Sequence, residues 1–143
     1  MDLESIEVWK EAIELFGFVK KRLNNLKTVS FKAKAQVADS IFSVHSNIAK
    51  GYSRRYLKET IQFNNIALAS LAENYSQNFA LLVSEDIDRE WLDEYDSKHY
   101  SLENKLINYN KSQIIQLKEK TNWRNDYVVR EIVEKYDIKR LDD

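Results

Sequence analysis

The chain contains no proline and only two glycines, Gly17 and Gly51, in 143 residues. Turns rely on these two residue types, because proline presets one backbone angle and glycine adopts positive φ without a steric penalty. A protein rich in strands or loops would need many such turns. The sequence therefore predicts an all-α protein of long helices joined by short connections.

Apolar residues recur at spacings of three and four in four long stretches, and this period predicts amphipathic helices. The predicted helices span about residues 4–25, 31–52, 54–84 and 86–120. Candidate N-caps for the second, third and fourth helices are Ser30, Ser53 and either Asp86 or Asp88. Short links between such helices predict an up-down-up-down four-helix bundle over residues 1–120.

Residues 121–143 form a separate C-terminal extension in this prediction. Apolar residues recur at helical spacing from Val128 to Tyr136, which predicts a short appendix helix. A strand over residues 127–129 is the alternative. The extension is too short to be a domain of its own.

The third predicted helix is nearly uncharged, since Glu73 is the only charged residue between Thr60 and Ser84. A surface helix of a monomeric bundle normally has a charged outer face. We therefore expect this helix to be covered on more than one side. The amides that we place at an oligomer interface or in the inner bundle are Asn64, Asn65, Asn74, Gln77 and Asn78. We expect Glu73 to be the buried partner of an arginine, tyrosine or tryptophan, because an unpaired buried carboxylate is costly.

Most catalytic and metal-binding chemistry lacks its residues in this chain. There are no cysteines, only two histidines, no glycine-rich phosphate loop and no G-x-S-x-G motif. A carboxylate-bridged di-iron site needs Glu-x-x-His on two helices, and Asp96-x-x-His99 is a single imperfect match. We interpret His45 and His99 as packed helix residues, and we predict no enzymatic activity, metal or cofactor. The acidic N-terminus and the lack of a long apolar run predict a cytoplasmic protein that does not enter a membrane.

The formal net charge is −1, but the charge is unevenly distributed. Four bases gather where the second predicted helix meets the third: Lys50, Arg54, Arg55 and Lys58. Tyr52 and Tyr56 lie among them. Arginine mixed with tyrosine is typical of surfaces that bind single-stranded RNA, and also of helix ends and subunit interfaces. Gly51 is either a left-handed cap of the second helix or part of a helix that continues through it.

Opposite charges flank the other end of the predicted bundle. Several lysines surround the first connection, and seven acids lie within residues 85–96, around the third connection. In an up-down-up-down bundle these two connections share one end, so we expect their charges to screen each other. The end that holds Lys50 to Lys58 is then the one with a net basic surface.

Residues 46–55 read Ser-Asn-Ile-Ala-Lys-Gly-Tyr-Ser-Arg-Arg. This stretch resembles the Ser-Asn-Ile-Ala-Glu-Gly-(Tyr/Phe)-x-Arg signature of the bacterial 23S rRNA-intervening-sequence proteins, with Lys50 in place of the glutamate. The resemblance continues through residues 58–73, and Val8-Trp9-Lys10 is similar to the N-terminal tryptophan segment of the family. It covers about residues 3–120.

The resemblance implies a four-helix bundle that assembles as a ring-like homopentamer without enzymatic activity. It also implies genes that often lie inside inserts of large ribosomal RNA genes. A related accessory protein of diversity-generating retroelements is pentameric and binds nucleic acid through a basic surface. We therefore expect a homo-oligomer associated with RNA or a ribonucleoprotein. The alternative is a protein-interaction scaffold without nucleic-acid binding, whose partner docks on residues 123–136.

Overall fold

The computed structural model describes residues 6–121, which form four α-helices. These are α1 (Glu7–Asn24), α2 (Phe31–Tyr52), α3 (Leu57–Val83) and α4 (Arg89–Thr121). Each helix packs against its neighbours in sequence, and α1 also packs against α4, as in an up-down-up-down bundle. No strand occurs in this range. The predicted all-α fold is therefore confirmed, whereas the appendix helix lies outside the described residues.

Hydrophilic residues define the starts of two helices. The Ser30 side chain accepts a hydrogen bond from the Ala33 N–H at 3.1 Å, and Asp88 Oδ1 accepts one from the Trp91 N–H at 2.7 Å. Both satisfy backbone donors that a helix start leaves unpaired. The prediction that Ser53 caps α3 is wrong. Ser53 is instead the C-cap of α2, and its hydroxyl donates to the Lys50 carbonyl at 2.8 Å. The third helix, α3, begins only after Tyr56.

Gly51 lies inside α2 and has no positive φ, so the left-handed cap is excluded. Its role is close approach between helices. A Cβ atom at this position would lie 3.1 Å from both Phe63 Cβ and the Thr60 carbonyl oxygen of α3. The Thr60 hydroxyl also donates to the Gly51 carbonyl at 2.8 Å. The glycine therefore lets α3 begin tightly against the last turn of α2.

The core is built from one apolar stripe on each helix, and burial of these side chains supplies the main stabilising free energy. Its largest fully buried apolar side chains include Val19, Ile41, Ile48, Leu71, Leu102 and Leu106. No helix of the described range is long and apolar enough to span a bilayer.

A buried polar network crosses this core between α2, α3 and α4. The Asn74 amide donates to Ser40 Oγ at 2.9 Å and to the Val37 carbonyl at 3.1 Å. Asn74 Oδ1 accepts hydrogen bonds from the Tyr95 hydroxyl at 2.7 Å and from the Asn78 amide at 3.0 Å. Burial raises the pKa of Tyr95, so the phenol stays a neutral donor. The network shows how amides occupy the interior of α3 without a buried charge.

Glu73 does not belong to the buried set, and the prediction of a buried carboxylate is wrong. Its side chain is exposed and accepts a hydrogen bond from Gln77 Nε2 at 3.2 Å. The core-facing positions of this part of α3 are Leu71, Asn74 and Asn78. Successive residues are rotated by about 100° around a helix, so Glu73 lies on the side of α3 that faces away from these core positions.

Candidate nucleic-acid interface

The α2–α3 connection brings the four predicted bases to one corner of the bundle. Lys50 lies in the last turn of α2, Arg54 and Arg55 in the connection, and Lys58 in the first turn of α3. The first three are exposed and Lys58 is half-buried. We call these four residues the basic corner.

Arg54 is positioned by an aromatic ring of α3. Its guanidinium carbon lies 4.8 Å from the centroid of the Phe63 ring. Such a contact is an electrostatic attraction to the ring, and the guanidinium has further N–H donors in its plane for other partners. The contact between Arg54 and Phe63 was not predicted from the sequence, because it joins the α2–α3 connection to a helix that folds back beside it.

The basic corner has few acids near it along the chain. Between residues 40 and 72 the charged residues are these four bases and a single acid, Glu59. Within residues 6–121, none of the four forms an ion pair with a carboxylate. No carboxylate of residues 6–121 therefore pairs directly with these bases.

The register of α3 and α4 adds two bases to the same end. Asn64 donates to Asn110 at 3.2 Å, and Asn110 donates to Asn65 at 2.9 Å. Since antiparallel helices advance equally along their axes, the last turn of α4 lies level with the α2–α3 connection, just before the first turn of α3. That last turn carries Lys118 and Lys120, with one acid, Glu119, between them.

At the opposite end the charges are mixed, as the up-down topology predicts. Arg22 lies 3.9 Å from Asp88, and the Thr28 hydroxyl donates to Asp86 at 2.6 Å. Hydrogen bonds from Ser84 and Thr28 lower the pKa of Asp86, so this carboxylate stays ionised. The first and third connections therefore meet, and bases and acids lie side by side there.

The two tyrosines of the corner have different environments. Tyr52 is half-buried, and Tyr109 of α4 has a pKa raised mainly by burial and also by Tyr52. Tyr56 is the N-cap residue of α3, yet its side chain makes no capping hydrogen bond and is 58% exposed. Of the pair, Tyr56 is thus the ring that faces solvent.

The histidines take part in helix packing. His99 is buried, with Nε2 3.3 Å from the Leu71 carbonyl oxygen, and His45 packs against the rings of Phe16 and Phe42. Burial lowers the pKa of both, which favours neutral imidazoles at neutral pH. In residues 6–121 no three His, Asp or Glu side chains are grouped so as to hold a metal ion.

The predicted interface amides are divided between the interior and the surface. Asn64, Asn74 and Asn78 are buried inside the bundle, and Gln77 is half-buried and accepts a hydrogen bond from Ser40 at 2.6 Å. Only Asn65 is exposed. The structure therefore places most of this set within one subunit.

The outward side of α3 is exposed and almost free of charge. We call it the α3 outer face, and its residues are Gln62, Asn65, Ile66, Ala69, Ala72, Glu73, Ser76, Phe79, Ala80 and Val83. Ile66, Phe79 and Val83 are large apolar residues on it, and Val83 is 70% exposed. The sequence did not identify these three as surface residues, because apolar periodicity alone does not show which apolar positions of a nearly uncharged helix face outward.

Comparison with known proteins identifies the family. The model of the 23S rRNA-intervening sequence protein family matches residues 4–108. The chain belongs to this family. None of the curated proteins compared with this family member matches it significantly. The resemblance seen in the sequence is confirmed, and the end of α4 lies beyond the matched range.

A solved structure has the same fold as this family member. It comes from Bacteroides thetaiotaomicron VPI-5482 and is described as a protein with unknown function from the S23 ribosomal protein family. The two structures superpose with a TM-score of 0.67 at 23% sequence identity. The alignment covers 73% of this chain and 98% of that chain. At this identity the similarity establishes the bundle architecture alone.

Proposed function

We propose that the protein is a non-enzymatic cytoplasmic homo-oligomer that binds RNA through its basic corner. The observation that carries this proposal is the group Lys50, Arg54, Arg55 and Lys58, none of which is paired with a carboxylate of residues 6–121. Exposed unpaired bases attract the phosphate backbone, and binding releases counterions from the RNA.

Arg54 is suited to a phosphate contact. Because the guanidinium of Arg54 already lies over the Phe63 ring, part of the side-chain ordering has occurred before a ligand binds. The in-plane N–H groups match the geometry of two phosphate oxygens. Lys50 and Arg55, which are exposed on either side in sequence, add positive charge at the same corner.

The family supports RNA, or a particle that contains RNA, as the class of ligand. Its description names an intervening sequence of 23S rRNA, and the similar solved structure is assigned to a ribosomal protein family. Neither description states an enzymatic activity.

The α3 outer face supports self-association. Ile66, Phe79 and Val83 leave apolar surface in water in the single chain, and a second subunit would remove it. The family resemblance implies a ring of five subunits. Such a ring repeats the basic corner, so several weak phosphate contacts act together on one RNA molecule.

Fluorescence anisotropy with a labelled RNA tests the proposal. The variant Arg54→Glu/Arg55→Glu should bind at least about tenfold more weakly, and its affinity should depend less steeply on salt, because phosphate contacts are lost. The matched control is Lys27→Glu/Lys32→Glu, which makes the same charge change at exposed positions of the opposite end. This control should bind nearly as tightly as the wild type.

Two results would contradict the proposal: no RNA binding at low salt, or equal losses in the two variants. Absence of RNA binding by an intact oligomer would favour the protein-interaction scaffold. The docking segment that we assign to the scaffold, residues 123–136, lies outside the described residues.

A further inference from the structure

An exposed aromatic ring lies among the cations of the basic corner. Tyr56 is 58% exposed, follows Arg54 and Arg55 directly, and precedes Lys58 by two residues. Within residues 6–121 its side chain has no hydrogen bond and no ring contact. The N-cap role of the Tyr56 backbone therefore does not explain why this position carries an exposed aromatic ring.

The backbone of Tyr56 is nevertheless firmly held. Its carbonyl oxygen accepts hydrogen bonds from the Glu59 N–H at 3.1 Å and the Thr60 N–H at 3.3 Å, at the start of α3. The ring thus projects from a fixed point at the end of a long helix. Only its two side-chain torsions remain to be ordered when a ligand binds, which keeps the entropic cost small.

We propose that Tyr56 is a stacking platform for an unpaired nucleotide base, and that the basic corner therefore prefers single-stranded RNA to duplex RNA. This inference rests on the proposed function, because the flanking bases must first hold the phosphates. In a duplex the base faces are stacked on each other and inaccessible. A protruding ring can contact only a base that is splayed out of the helix.

The surroundings of Tyr100, the other exposed tyrosine of residues 6–121, support this assignment. Tyr100 on α4 is 64% exposed, but Asp96 and Glu103 are its neighbours at i−4 and i+3 on the same helix face. Those carboxylates repel phosphate, whereas Tyr56 has three bases near it in sequence, Arg54, Arg55 and Lys58, and one acid, Glu59. Tyr100 is thus a matched control for exposure and side-chain chemistry.

The test compares three probes on the full chain and its variants. They are a single-stranded RNA of about 12 nucleotides without self-complementarity, a duplex RNA of the same length, and inorganic polyphosphate. The single strand carries 2-aminopurine, whose fluorescence falls when it stacks on a ring. The variants are Tyr56→Leu, Tyr56→Trp and Tyr100→Leu, and thermal unfolding checks that each is folded.

We expect Tyr56→Leu to weaken binding of the single strand by about fivefold or more and to abolish the stacking signal, since one base is stacked on the ring. Its affinity for polyphosphate should not change, because that contact is ionic. Tyr56→Trp should retain binding and quenching, and Tyr100→Leu should behave as the wild type.

The inference is overturned if Tyr56→Leu leaves the single-strand affinity unchanged, or if duplex and single strand bind equally well. The charge reversal Arg54→Glu/Arg55→Glu separates this outcome from failure of the proposed function. If that variant loses binding to every probe while Tyr56→Leu loses none, the RNA site stands and the stacking does not. If it binds every probe as the wild type does, or if the wild type binds none, both proposals fail.

Discussion

The two glycines occupy opposite environments, and this difference predicts opposite effects of the same substitution. A Cβ at Gly17, inside α1, meets no atom within 4 Å. Gly17→Ala should therefore raise the free energy of unfolding by about 0.5–1 kcal/mol, because alanine loses less backbone entropy in a helix. At Gly51 the Cβ would contact Thr60 O and Phe63 Cβ at 3.1 Å. The overpacking cost of about 1–3 kcal/mol should exceed the gain in helix propensity there.

Urea denaturation followed by circular dichroism measures both effects as shifts of the transition midpoint. Each substitution is the control of the other, since the chemical change is identical. Stabilisation of the protein by Gly51→Ala would show that α2 and α3 separate easily at the corner, and would contradict the close approach.

At the scale of single residues, local rules predict some positions and not others. Ser30 and Asp88 cap helices as predicted, because a cap depends on the few residues around it. Ser53 and Gly51 are different, since their roles depend on where α2 ends relative to α3. Glu73 was expected inside the protein from its rarity in α3, but rarity does not determine which side of a helix a residue occupies.

At the scale of the helices, the buried network around Asn74 connects α3 to α2 and α4. Asn74→Ala removes the partner of the Tyr95 hydroxyl and of the Asn78 amide and leaves a cavity. Its cost should reach about 3 kcal/mol or more, because unsatisfied buried donors carry their full desolvation penalty. Tyr95→Phe removes one donor and leaves Asn74 bonded to Asn78, so about 1 kcal/mol is expected.

The unfolding free energies of the two variants measure this difference. A smaller cost for Asn74→Ala than for Tyr95→Phe would contradict a network centred on Asn74.

The helices themselves were predictable, because apolar periodicity is a local pattern, and α2 begins and ends at the predicted residues. The pairing of Asn74 with Ser40 and Tyr95 was not, since it depends on the register of three helices.

At the scale of the whole molecule, the α3 outer face predicts that the chain self-associates. Ile66→Glu/Val83→Glu places two charges on that face and should convert the oligomer to monomers, because a charge buried at an interface without a partner is costly. The control is Tyr100→Glu/Ile115→Glu, which changes two exposed apolar residues of α4. Sedimentation velocity distinguishes the species. A monomeric wild type, or an oligomer that survives the α3 substitutions, would contradict the prediction.

Self-association also has a consequence for RNA binding that depends on the length of the RNA. Ile66 and Val83 lie on α3 away from Lys50, Arg54, Arg55 and Lys58, so the monomeric variant keeps its basic corner. It should bind a short single strand as tightly as the wild type. A long RNA that reaches several subunits should bind it at least about tenfold more weakly, because the later contacts are no longer intramolecular. Anisotropy titrations with both lengths test this, and equal affinities of the two proteins for the long RNA would show that one corner acts alone.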